Sequence, residues 1–109
     1  MSRYKGDIAE QKAVEFLEKD KFNIIERNFY AKNMGEIDII AKKDDIYHFI
    51  EVKSGSNFDP IYNVSPSKLK KLIKSVLYYL KVKKLDVVYS IDVISIQNDD
   101  IELLENVTL

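Results

Sequence analysis

The chain has 109 residues, 46% of them apolar, with three glycines, two prolines and no cysteine. That length closes around one hydrophobic core, burying roughly two-thirds of the surface exposed on unfolding, and the missing cysteines exclude disulfide frameworks and thiolate metal sites. The formal charge of −1 excludes the uniformly basic surface on which affinity for phosphate backbones usually rests.

Met1 to Lys12 carries charges at Arg3, Lys5, Asp7, Glu10 and Lys12 and has no apolar run resembling a signal h-region. Apolar runs elsewhere are only a few residues long, far short of the roughly 20 that span a bilayer. The expectation is a cytoplasmic protein with no membrane partner. No repeat or linker divides it, so residues 1–109 are read as one domain.

From Ile8 to Leu17 the apolar residues recur at helical spacing. Phe22 to Tyr30 reads as a strand, closed by the turn-forming Lys32, Asn33, Met34 and Gly35. Two further strands, Glu36 to Ala41 and Tyr47 to Lys53, form a hairpin about Lys42 to Asp45. Ser54 to Val64 reads as loop. Ser65 and Pro66 supply the N-cap and first turn of a second helix, which ends near Val82 and presents Leu69, Leu72, Ile73, Val76, Leu77 and Leu80 inward. Asp86 to Ile96 and Ile101 to Leu109 are the closing strands, around the turn Gln97 to Asp100. The order α, β, β, β, α, β, β predicts an α/β fold in which two helices cover one central mixed sheet.

The chemistry concentrates in the hairpin. Residues two apart share a strand face, so Glu51, Lys53 and Phe49 point together, as do Asp38, Glu36 and Ile40. A hairpin centred between Asp44 and Asp45 puts Asp38 across from Glu51 and Glu36 across from Lys53. Opposed residues hold their β-carbons about 4.5 to 5.5 Å apart, where two carboxylates repel unless a cation neutralises them. Mg²⁺ or Mn²⁺ suits such an oxygen-only pair, and Lys53 would stabilise charge developing on a phosphate oxygen. The same triplet also fits an exposed strand face carrying an ordinary ion pair.

Two border charges extend the pattern. Glu10 falls at the edge of the first helix's apolar stripe, and Lys68 flanks Leu72 and Tyr79 on the second helix, whereas Lys70, Lys71 and Lys74 point away. Those lysines, with Lys81, Lys83 and Lys84, crowd a segment without acidic residues, which suits either a solvated face or a DNA-binding one. His48 lies on the face opposite Glu51 and reads as a packed strand residue. Tyr78 and Tyr79 read as helix packing.

The run Gly35-Glu36-Ile37-Asp38-Ile39-Ile40-Ala41, followed by Phe49-Ile50-Glu51-Val52-Lys53, resembles the signature of the YraN family, also catalogued as UPF0102, small proteins similar to Holliday-junction resolvases. Gly6 to Glu10, Arg27-Asn28, Lys68 and Asp92-Val93 extend the likeness over nearly the whole chain. The resemblance implies a restriction-endonuclease-like core of the PD-(D/E)xK kind. It also implies Asp38 and Glu51 as metal ligands, Glu10 as an auxiliary acid, Lys53 as catalytic lysine and Lys68 as a DNA-facing one. The chain departs from the family pattern at Tyr30, Ser54-Gly55 and Ser90-Ile91, where the family often carries arginines that would contact phosphate.

These readings predict a metal-dependent endonuclease cutting DNA, branched or single-stranded, with a homodimer left open. The competing expectation is a non-catalytic module that binds nucleic acid or a protein partner on the same fold. A metal-independent hydrolase using Glu36 and Glu51 would leave Lys53, Glu10 and Lys68 without a task.

Overall fold

The computed structural model describes residues 2–55 and 65–108, with side chains from Asp7 onward. Its elements run α1 (Ser2–Lys19), β1 (Asn23–Ala31), β2 (Gly35–Lys43), β3 (Ile46–Gly55), α2 (Pro66–Val82), β4 (Tyr89–Gln97) and β5 (Asp100–Leu104). The strands form one sheet in the order β1-β2-β3-β4-β5, antiparallel throughout except for the parallel pair β3 and β4. The α/β class and the mixed sheet are as expected.

Alternation along the strands sorts the core into two layers. Ala9, Ala13, Val14 and Leu17 of α1 pack on Ile39, Ala41, Ile50, Ile94 and Ile96. Leu72, Val76 and Tyr79 of α2 pack on Ile40, Phe49 and Ile91. The two helices therefore cover opposite faces of the sheet, and β4 lies between them with seven consecutive buried residues, as a strand covered on both sides must.

Local chemistry sets the boundaries. Asp44 and Asp45 both adopt positive φ, 52° and 64°, between the paired Lys43 and Ile46. Such a two-residue turn matches the strand twist, and aspartate tolerates its left-handed conformation. Ser65 caps α2 by accepting from the Lys68 amide, and Pro66 follows.

Several boundaries differ from expectation. The first helix reaches back to Ser2, because its polar opening turns need no apolar stripe to be helical. Ser54 and Gly55 belong to β3, where they pair with Ile96 and Gln97; the remainder of the expected loop, 56–64, lies outside the described residues. The closing strands are shorter than expected. β4 begins only at Tyr89, and β5 stops at Leu104, after which the chain folds back so that the Val107 amide donates to the Ile91 carbonyl. Leu77 is exposed, not inward; Ser75 and Tyr79 take the buried stripe instead. Ser75 holds the β1–β2 turn, its hydroxyl 3.3 Å from the Met34 carbonyl.

Candidate functional site

The β2–β3 ladder has the expected register, Ile39 opposite Ile50 and Ile40 opposite Phe49, but it ends there. Beyond it the Val52 amide donates to Asp38 Oδ2 at 2.8 Å, so a side chain takes a place that a strand carbonyl would fill. Neither expected opposition, Asp38 with Glu51 or Glu36 with Lys53, forms as a ladder pair, because the strands have already parted. Strand alternation breaks at the same point: Ile37 packs in the same layer as Ile40, although Ile39 packs in the other. On β1, Asn28 takes a left-handed φ of 55°, a conformation asparagine accepts more readily than most residues.

The parting strands open a cleft of about 300 Å³, lined by Asp7, Glu10, Asn28, Glu36, Asp38, Glu51 and Lys53. Five carboxylates thus face one ammonium. Asp38, Glu51 and Lys53 meet here as expected, with Lys53 Nζ 3.3 Å from Glu51 Oε2. Burial, the negative charge of Glu51 and a hydrogen bond shared with it push the Asp38 carboxyl up to about 7, against the opposing pull of the Val52 amide and Lys53. Burial alone would lower the Lys53 pKa. The Glu51 and Asp38 charges and the hydrogen bond to Glu51 outweigh it, and Lys53 lies above the ordinary lysine value.

Glu10 is buried at the cleft wall, at 8% exposure, and its orientation is set from β1. Arg27 Nε and Nη2 at 3.2 Å and Asn28 Nδ2 at 2.8 Å all donate to its Oε1. Burial raises its pKa, the hydrogen bond from Arg27 works the other way, and the Asp38 charge adds to the rise. Glu10 is thus near Asp38 but committed to β1. Among the described residues, no three histidine, aspartate or glutamate side chains assemble as a metal-ligand set. The carboxylate donors fit a hard cation such as Mg²⁺ or Mn²⁺, with Asp38 and Glu51 as the pair able to hold it.

A second hollow of about 150 Å³ shares Glu36 and Glu51 with the first and adds Lys68, Lys71 and Ser75. Glu51 therefore stands between two basins. Lys68 stands near Lys53, and that like charge lowers the Lys68 pKa. Lys71, expected to point away, lines this hollow. Lys70 instead lines a groove beside Val107 and Thr108 on another side of α2, and Lys74 is exposed. The lysine-rich segment is not one patch, because successive helix positions fan out by about 100° each.

A different polar group lies between β3 and β4. His48 Nδ1 is 2.6 Å from Asp92 Oδ2, the Ser90 hydroxyl donates to Asp92 Oδ1 and also approaches Asn106 at 2.8 Å, and the Asn106 amide donates to Asp92 Oδ1. His48 packs edge-on against Phe22 at 5.0 Å. Sequence reasoning assigned His48 to packing and missed its partner, which only the parallel pairing of Ile50 with Asp92 brings close.

Fold and site together define a small α/β domain with an acid-rich cleft at the open end of its central hairpin. Residues 9–96 match the family model described as "Uncharacterised protein family UPF0102". UPF0102 proteins of Sulfurovum sp. and Aliarcobacter butzleri are each 56% identical to the chain, the first over 95% of this chain and 93% of its own length, the second over the whole of both. One of Wolinella succinogenes is 50% identical over the whole of both chains. The chain belongs to the UPF0102 family. Among the described residues, no helix is long and apolar enough to cross a membrane.

Proposed function

We propose that this protein is a metal-dependent endonuclease that hydrolyses DNA phosphodiesters by attack of water. The observation that carries the reading is the placing of Asp38 and Glu51 in one cleft beside a single lysine, where burial and the neighbouring Glu51 charge push the Asp38 carboxyl up to about 7. Asp38 and Glu51 would hold Mg²⁺ or Mn²⁺, with Glu10 behind them. When bound, such an ion lowers the pKa of water and neutralises phosphoryl oxygens. Lys53, tethered by Glu51, stabilises the charge that develops on the phosphate, and Lys68 and Lys71 receive the adjoining backbone phosphate in the second hollow. With DNA as substrate goes a cytoplasmic location.

The competing reading, a binding module without catalysis, is favoured by the engagement of Glu10 with Arg27 and Asn28, which draws one acid away from the centre. Single-turnover cleavage of branched and single-stranded DNA with Mg²⁺ or Mn²⁺ separates the two. Lys53→Ala should slow cleavage by roughly two to three orders of magnitude while leaving affinity near wild type, and Glu51→Ala should abolish cleavage. A wild type that binds DNA and cuts none of these substrates with either ion would overturn the nuclease reading in favour of the module.

A further inference from the structure

Tyr30 is the most exposed of the aromatic side chains described, at 67%. It is also out of place for a packing residue. Its neighbour Phe29 turns toward α2 and meets the Tyr79 ring edge-on at 4.9 Å, so Tyr30 points to the other face of the sheet. Pairing sets it directly opposite Glu36, at the β-carbon spacing of about 4.5 to 5.5 Å that opposed residues have. Glu36 lines both the acidic cleft and the lysine-bearing hollow. An uncovered aromatic face therefore stands one strand away from a residue that lines the candidate centre.

The charge of the cleft says what such a face is for. Five carboxylates line the cleft beside one ammonium, so the cleft by itself draws a phosphate backbone weakly, and the chain's net charge of −1 adds little counterion release. Stacking of a nucleobase on an aromatic ring needs no opposite charge and is open to every base. It does need a base whose face is free, which a continuous duplex does not offer. Lys32, two residues further along and exposed, adds a cation in the adjoining turn.

We propose that Tyr30 is a stacking platform for an unpaired nucleobase and directs the site to DNA with single-stranded character. The inference rests on the nuclease reading above for its substrate class, but its test has a separate readout. The chain contains no tryptophan, so Tyr30→Trp preserves the platform and installs a unique fluorophore on it. Val88→Trp, at a position 68% exposed and beside Tyr47 at the far end of β3, is the control.

The measurement is binding of a twelve-nucleotide oligothymidylate and of a blunt duplex, in Ca²⁺ to slow turnover and over a range of salt. Tyr30→Ala should weaken oligothymidylate binding about ten-fold or more without altering the salt dependence or the duplex affinity. Tyr30→Trp should bind as wild type does, with its emission quenched at saturation, while Val88→Trp emission stays unchanged. If wild type binds the oligonucleotide and Tyr30→Ala binds it equally well, the platform is lost and the nuclease reading stands. Equal weakening on both DNAs would also overturn it, since Tyr30 would then be a general contact. A wild type that neither binds nor cuts either DNA would end both proposals.

Discussion

Two aspartates on neighbouring stretches of the same sheet have opposite fates. Asp92 is fully buried and both its oxygens are engaged, one by His48 and the other by Ser90 and the Asn106 amide. Asp38 sits at the mouth of a cleft with one amide donor and a second carboxylate as its neighbour. A sealed and satisfied carboxylate stabilises the fold, because His48 and the Asn106 amide would lose their partner in the core without it. A carboxylate buried beside another works against the fold, and the Val52 amide and Lys53 offset only part of that cost.

Removing each acid in turn separates the two. Asp92→Ala leaves His48 and the Asn106 amide without their partner in the core, with Ser90 keeping only Asn106, and should cost roughly 3–5 kcal/mol, a large share of the 5–15 kcal/mol typical of a domain. Urea unfolding at neutral pH measures it; a loss below about 1 kcal/mol would mean that the cluster is not the structural anchor described here.

Asp38→Asn should act in the opposite sense. A carboxyl raised from 3.8 to about 7 binds its proton in the folded chain and loses it in the unfolded one, so stability falls as pH rises between those values and the full penalty applies above about 7. Asparagine can still accept from the Val52 amide but cannot ionise. In metal-free buffer, Asp38→Asn should therefore stabilise by about 1 to a few kcal/mol at pH 8, with the gain vanishing below pH 4. Thermal melts at the two pH values test it, and a pH-independent difference would show that Asp38 is not under the strain inferred.

The smallest effect sharpens the role of Glu10. Its partner Arg27 is 37% exposed, so Arg27→Gln should cost less than about 1 kcal/mol, while the Glu10 pKa rises further for want of the guanidinium. Side-chain carbonyl shifts followed by NMR across pH would register that rise; an unchanged Glu10 titration would mean that burial alone governs it.

The hairpin and its register were legible because they are local: two aspartates that accept positive φ fix the turn, and the turn fixes which residues face one another. That register brings Asp38, Glu51 and Lys53 to the same end of the hairpin, but their meeting in one cleft depends on the parting of the strands and the break in alternation beside Asp38, which no local pattern announces. What was not legible depends on distant pairing. Nothing near His48 in sequence names Asp92, since the parallel β3–β4 pair joins residues about forty positions apart. The left-handed turn of Asn28, which aims its amide at Glu10, was equally hidden, because asparagine within an apolar strand is compatible with ordinary extended backbone as well. Leu77 was misplaced for a simpler reason: α2 carries apolar residues on more than half its circumference, and only packing decides which arc is buried.

The parallel pairing also orders events in time. The β1–β2 and β2–β3 connections close loops of only a few residues, and such hairpins assemble on a scale of about 1–10 μs. Joining β4 to β3 must wait for a far longer stretch of chain, α2 included, to fold back, and the entropy of that closure slows the search. Asp38, Glu51 and Lys53 belong to the early hairpins, whereas Lys68 and Asp92 arrive with the late crossover. On that order the two acids come together before the elements that brace them are in place, so their repulsion opposes the earliest closure as well as the finished fold.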